Sequence, residues 1–571
     1  MGERRLEPAA TVSASGAGVG IALLKRRLKR WESVAVVTTS VVLALLFGGS
    51  LLAGTARVAA YGSDLPTDGA QGQFIFAEVA RAIWGDGSLL WTDRVWYPAG
   101  YPFLLSEQNI LDAVLLSPFV RLLGPTLPIA WFGVLVLVTN GLAGGWLARK
   151  VADSPRAGVV GAVLLGASPY VLGELSCGRV TQAWLVPMCL TLGLAWDGAK
   201  GDLRKASLAG VLLALTGYHY WFYALFIAPG VAAVVLGRVG LKRGIGPLAV
   251  IAGVSLLLVA PAVAFVIQHW ADMPGTNIDA DAFRWPARLL AGLPGLDPGG
   301  LDHETRYLPH LLYAVMAGAV LVWPRRVAVS LAAVAGFLVL VSMGQSLTVG
   351  DQSVRLPYGW LILIPGLSRF WWPTRALGAA TVALTPVAAL AFRRLRGASR
   401  VAAAGGLLLC VLQAWYLPGR IVALDAPTRV GWSNRAPAGA VLALPMLSEP
   451  VGRRASFMQP FHGRPLVNGN GMWDAHLWPP AFRAFYSTQP LLQALLATEI
   501  GSKKTTPAHH SSGVSKLASA GVSVVLFPAA WLDHGSAHRE VALLNDLLGP
   551  PTCLPGDLDC YWIVRGSASD R

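Results

Sequence analysis

The residues best suited to chemistry in this chain are a few carboxylates, arginines and histidines set in a strongly apolar background. Three of the carboxylates, Asp64, Asp68 and Glu107, lie in one polar interval, residues 61–118, directly after the first long apolar run. Carboxylates are the residue type for a general base, and charge at a bilayer edge is costly unless it faces water, a partner or a substrate. The interval therefore reads either as a solvated loop carrying a surface helix or as an outward-facing catalytic loop. Asp64 and Asp68 are four apart and would share a helical face. Like-charge coupling would then raise one pKa, unless Asp64 is simply the surface member. The plain alternatives are helix capping for Asp68 and a solvated or salt-bridged side chain for Glu107. Arg369 and Arg375 flank the aromatic stretch Phe370-Trp371-Trp372-Pro373. Such arginines either hold an anion or snorkel beside an interfacial aromatic belt. His219, between Tyr218 and Tyr220, either lines a cavity or is a hydrogen-bonded histidine of a helix bundle. No Gly-rich phosphate loop follows a predicted strand and no His-Glu-x-x-His occurs, so nucleotide hydrolysis and zinc proteolysis have no support.

The composition says what must carry these residues. Hydrophobic residues make up 54% of the 571 and charged residues only 13%, which points to a multi-span α-helical membrane protein. Apolar runs at about 33–56, 127–148, 157–173, 181–197, 205–218, 220–237, 245–267, 308–323, 327–344, 376–393 and 400–417 predict about eleven spans. The pair around Gly217-Tyr218-His219-Tyr220 is one long run interrupted by those residues. Basic residues recur in alternate loops: Arg149/Lys150/Arg156, Lys200/Arg204/Lys205, Arg238/Lys242/Arg243, Arg325/Arg326 and Arg393/Arg394/Arg396/Arg400. They place those loops and the basic tail 1–32 in the cytoplasm. The net charge of +15 is thus a topology signal and an attraction to anionic lipid, with no nucleic acid implied. The first run ends in small residues that could pass for a cleavage site, but its length favours an uncleaved anchor. An odd number of spans puts residues 418–571 outside, with the long loops 57–126, 268–307 and 345–375. No internal repeat is visible, which weakens a transporter built from two halves.

Within 418–571, a strand at 441–445, a helix at 480–498, a helix ending at 516–520, a strand at 521–527, a helix at 539–548 and a strand at 560–564 predict a small α/β domain. The division expected is a cytoplasmic tail (1–32), a transmembrane part (33–417) and an extracytoplasmic domain (418–571). The five cysteines show no zinc-ligand spacing. Cys553 and Cys560 are either a disulfide or two buried thiols.

The order of features resembles the C-type (GT-C) integral-membrane glycosyltransferases. The residues that carry the likeness are Asp68 and Gln71, Tyr97-Pro98-Ala99-Gly100, Asn109, Ser117-Pro118, Ser168-Pro169-Tyr170, Gly178-Arg179 before Pro187, Leu356-Pro357, Ile364-Pro365-Gly366 and Ser368 to Arg375. The segment Gln459 to Gly469 is similar to one in bacterial members. The paired Asp-Glu of the mannosyltransferases is absent. The resemblance implies transfer of a sugar from a polyprenyl-phosphate-linked donor to a glycan, lipid or protein acceptor, with inversion, at the outer face of a bacterial cytoplasmic membrane. No cofactor or metal is implied. The attacking hydroxyl then needs a base, Asp68 first and Glu107 in reserve, with Asp64 beside it. The leaving phosphate needs fixed positive charge, for which Arg369 and Arg375 are the candidates. His219 would line the cavity. His462 and Asn468 would contribute to an acceptor surface, although turn residues fit the same positions. The rival function is a flippase-like, non-catalytic carrier of a lipid-linked glycan.

Overall fold

The computed structural model describes residues 33–52, 57–60, 68–100, 102–103, 110–272, 326–349, 352–364, 366–367, 370, 372–416, 422–425, 430–468, 478–501, 510–529, 532, 538–555 and 559–565. The expected span at 308–323 lies outside them. The apolar runs fold as helices, and six of these are long and apolar enough to cross a membrane: Ser33–Leu52, Thr126–Ala152, Pro155–Ser176, Trp221–Val239, Leu241–Gln268 and Pro373–Arg394. Leu256 and Leu257 on Leu241–Gln268 are 71% and 74% exposed. Leucine at that exposure on an apolar helix is a surface for lipid rather than water.

Small residues let the helices approach. Thr126–Ala152 turns back into the next helix through Asp153, in the left-handed region at φ 47°, and Pro155 at the new helix's first position. The two backbones then cross so closely that a Cβ on Gly161 would stand 2.2 Å from the Gly144 carbonyl oxygen. Two expected spans are interrupted. Pro155–Ser176 breaks into Pro155–Gly166 and Pro169–Ser176, because Pro169 has no N–H to continue the ladder. The stretch 181–197 divides into a one-turn helix, Val180–Ala183, and Val186–Gly198. The break at 217–220 is present as expected. Leu203–His219 ends there, Tyr220 is extended (φ −163°, ψ 113°), and Trp221–Val239 begins.

Side-chain contacts sort the helix ends into two groups. Arg149 reaches Ser33 (3.2 Å) and Lys150 pairs with Asp197 (2.7 Å). Arg238 donates to the Trp196 carbonyl and Arg393 to the Ala152 carbonyl, and Gly237 lies against Val327. One end of the bundle therefore gathers the basic loops. The other gathers Leu52, Thr126, Ser176, Val186, His219, Trp221, Gln268, Ser342, Ala376 and Tyr416, the opposite termini of the same helices.

Four strands and a loop join the chain's distant parts at that second end. Strand β1 (Arg57–Ala60), just after the first helix, pairs antiparallel with β4 (Val422–Asp425), just after Gly397–Tyr416. The hairpin β2 (Ser346–Val349) and β3 (Gln352–Arg355) follows Arg326–Ser342. Beyond β4 lies a mixed sheet ordered β5 (Ala440–Ala443), β6 (Val522–Pro528), β8 (Asp559–Ile563), β7 (Thr552–Cys553). Strands β5 and β6 are buried along their whole length, which is why they read as continuous apolar runs. Cys553 and Cys560, opposite each other on β7 and β8, form a disulfide. The expected helix at 480–498 is two, Pro480–Ser487 and Pro490–Glu499, because Pro490 starts a new one. Helices Ile110–Leu123 and Glu449–His462 have no counterpart in the sequence reading.

The first loop is stitched into this sheet. Val441 bridges Leu466, and Leu466 in turn donates to the Arg94 carbonyl (2.8 Å) and accepts from Tyr97 N–H (2.9 Å). Residues 94–97 thus extend the sheet past β5. Helix Asp68–Trp84 packs on Glu449–His462. Its buried Glu78 accepts from Thr92 (3.0 Å) and pairs with Arg81 (2.9 Å), which fixes the loop to the helix. Gly100, at φ 63°, completes the turn. A Cβ there would meet the Thr92 carbonyl at 2.5 Å.

Candidate active site

The sequence-selected residues fall into two groups. Asp64, Glu107 and Arg369 lie outside the described residues. Asp68 is the first residue of helix Asp68–Trp84, and its side chain is likewise outside them. Arg375, His219 and His462 are described; the first two are fully buried and His462 is half-buried.

Arg375 is fully buried at the start of Ala376–Arg394, so it does not snorkel. It forms an ion pair with Glu174, a fully buried carboxylate on Pro169–Ser176. Arg179, the residue before the one-turn helix Val180–Ala183, stands 4.0 Å from the same carboxylate. Both guanidiniums stack on Trp372, 4.2 Å from its ring centre for Arg375 and 4.6 Å for Arg179. Tyr220, from the helix break, packs 5.8 Å from the Arg375 guanidinium. Tyr170 and Tyr223 share a hydrogen bond (2.7 Å), and Tyr223 also donates to the Gln182 carbonyl. The buried Ser168 lies just before this helix. Three separated stretches, around 168–182, 220–223 and 372–375, thus meet in one place at the non-basic end of the bundle.

A second buried group adjoins the first. Asp112, on Ile110–Leu123, accepts a hydrogen bond from Thr181. His219 Nε2 stands 3.1 Å from the Trp184 carbonyl, and His219 Nδ1 stands 3.7 Å from Asp112. Asn140 holds the same strip of backbone, donating to the Ala183 carbonyl (2.7 Å) and accepting from Leu185 N–H (2.9 Å).

His462 is elsewhere, at the end of Glu449–His462. Its ring lies 5.2 Å from the Trp432 ring, and its Nδ1 accepts from Arg464 N–H (3.1 Å). Burial, with Arg464 and Arg94 nearby, pushes its pKa down to about 3, so the imidazole is neutral. Asn468 grips both backbone groups of Ala443, at 3.0 and 2.7 Å.

The sequence reading missed Glu174, Asp112 and Glu78. Glu174 had a signal: it is a lone carboxylate inside an apolar run, and an intramembrane ionisable residue is by default a candidate for function. Asp112, the lone carboxylate of the apolar run that begins at Ile110, had the same signal more weakly. Among the described residues no group of three or more His, Cys, Asp or Glu is arranged to hold a metal.

No family model and no curated protein matches the chain. Solved structures do. The arabinofuranosyltransferase AftD from Mycobacteria superposes at a TM-score of 0.55 with 16% identity, over 94% of this chain. The match spans 40% of that protein's length. A weaker likeness, at a TM-score of 0.44 and 11% identity, is to the archaeal oligosaccharyltransferase AglB from Archaeoglobus fulgidus, solved with an inhibitory peptide and a dolichol-phosphate. It covers 94% of this chain and 72% of that one. The likeness to AftD is one of fold: a largely helical chain with six described helices long and apolar enough to cross a membrane.

Proposed function

We propose that this protein is a membrane glycosyltransferase that moves a sugar from a polyprenyl-phosphate donor to an acceptor at the outer face of a cytoplasmic membrane. The observation that carries the proposal is the meeting of Arg179, Arg375 and Trp372 over Glu174, at the end of the bundle where the first loop also lies. Stacked, hydrogen-bond-rich guanidiniums in a site shielded from water suit a phosphate whose charge grows as the sugar leaves. Arg375 is assigned that role, together with Arg369, six residues earlier in the sequence. Asp68, at the start of a helix anchored to the C-terminal sheet, is assigned as the base, with Glu107 as its alternative and Asp64 as its neighbour.

The orientation proposed puts the basic end inside. Ten described helices alternate between the two ends, and Gln268 and Arg326 lie at opposite ends. This supports eleven crossings, with the N-terminus inside and residues 418–571 outside as an α/β domain. The pairing of β1 with β4 supports the same parity, since it keeps the exits of the first and last helices on one side.

The test is transfer from labelled polyprenyl-phosphate sugars in membranes containing the full chain. Asp68→Asn keeps shape and polarity and removes the proton acceptor, so turnover should fall by about 10²–10⁴-fold while donor binding persists. Wild-type turnover in Asp68→Asn with loss in Glu107→Gln would move the base to Glu107. Full turnover in both would sink the first-loop mechanism. Donor binding without transfer in the wild type would favour the carrier.

A further inference from the structure

The one-turn helix Val180–Ala183 is too short to hold itself, because a single turn fixes many dihedrals for little hydrogen bonding. Its backbone is held instead by side chains from other helices. The Gln182 carbonyl accepts from Tyr223, the Ala183 carbonyl from Asn140, and the Trp184 carbonyl from His219. Asp112 takes the hydroxyl of Thr181. This strip begins at Arg179, one of the two guanidiniums stacked on Trp372.

The chemistry of His219 constrains where protons stand. A carbonyl oxygen only accepts, so the contact to Trp184 requires a proton on Nε2. Nδ1 then faces Asp112 Oδ1 at 3.7 Å. Both residues are fully buried, and neither of these two atoms has another hydrogen-bond partner. A bare ring nitrogen facing a bare carboxylate oxygen would set two buried acceptors against each other, each bearing its full desolvation cost. One proton between them removes the conflict, as an imidazolium–carboxylate pair or as a carboxylic acid facing a neutral ring. Two rings lie against His219 among the described residues: Trp184, edge-on at 5.2 Å, and Tyr223 at 6.2 Å.

We propose that Asp112 and His219 hold one proton between them, and that this pair is a positioning device which, through Thr181 and Trp184, fixes the strip carrying Arg179. The role in transfer rests on the function proposed above; the shared proton does not. The experiment uses the full chain in detergent with nitrogen-15-labelled histidine, and His219→Gln identifies the His219 ring signals by their loss. Asp112→Asn should shift the Nδ1 signal of His219 and leave Nε2 protonated. An unchanged Nδ1 signal would overturn the proposal. Thermal unfolding gives a second reading, since Asn can still accept from Thr181 and Gln can still donate to Trp184. Each single variant should lower the midpoint, and the double variant should fall no further than the lower single. Additive loss would also overturn it. In the transfer assay, Asp112→Asn should raise the donor KM several-fold with kcat retained. A changed Nδ1 signal with unchanged KM would keep the proton and remove the positioning role. If the wild type transfers no sugar, the nitrogen signal and the unfolding cycle still decide whether the proton is shared.

Discussion

Glu174 shows how one residue sets the character of a buried site. An isolated carboxylate inside a helix bundle is very costly, and its pairing with Arg375 offsets that cost only while both partners are present. Removing the charge from one side should therefore hurt more than removing the pair. Glu174→Gln should destabilise the protein by about 3–5 kcal/mol, because it leaves the Arg375 guanidinium buried without its counter-charge. Glu174→Gln combined with Arg375→Met should recover part of that loss. The thermal midpoint of the purified protein checks both, and a double variant worse than the single would show that Glu174 is not the counter-charge. Arg375 was visible in the sequence because an arginine beside tryptophans at a span edge is conspicuous. Its partner was harder to see. Nothing in the spacing of Glu174 and Arg375 announces that Pro169–Ser176 and Ala376–Arg394 bring them together. The same holds for His462, which looked like a surface residue and is locked beside Trp432.

At the scale of elements, periodicity found what was regular and missed what was broken by composition. Strands β5, β6 and β8 were legible because buried strands are apolar runs of the right length. Helix Glu449–His462 was not, since Pro450, Pro460 and two arginines interrupt its short apolar pattern. The helices around the sheet carry a titration that only the structure exposes. Glu499, at the end of Pro490–Glu499, has its pKa pushed up to about 7 by burial. Glu540, in the first turn of His538–Leu548, is pushed up to about 8 by burial and by Glu499. These carboxyls bind protons more tightly folded than unfolded. Their contribution is fully present below the ordinary carboxylate value and is lost as pH rises through about 7 to 8. Amide protection factors, which remove the intrinsic pH dependence of exchange, should therefore be higher at pH 5 than at pH 8 in β5 and in the two helices. Glu540→Gln should flatten that dependence. Equal protection factors at both pH values in the unaltered chain would show that the carboxyls are solvated.

At the scale of the whole molecule, the helix order was legible because apolar runs and basic loops are local signals. The ties that close the structure are not local. Strand β1, after the first helix, pairs with β4, after the last helix of the bundle, and residues 94–97 extend the sheet through Leu466. Four-residue strands with no distinctive pattern cannot be matched by reading along a chain. These ties make topology testable as a single unit, because the first loop, β4 and the C-terminal sheet must share one side. The sheet also contains the Cys553–Cys560 disulfide, and such bonds persist in oxidising compartments and are rare in the cytosol. With the basic end inside, a reporter fused after Arg571 should be active only in the outer compartment, and one fused at Arg326 only in the cytoplasm. In intact cells Cys553 and Cys560 should resist a thiol reagent until a reductant is added. The buried Cys177 and Cys189 should stay unlabelled in both conditions until the protein is unfolded. A cytoplasmic reporter at Arg571 together with freely labelled Cys553 would invert the molecule. It would place the Glu174 and Arg375 cluster, along with the first loop, on the side where the basic loops were assigned, and transfer at the outer face would then be impossible for this fold.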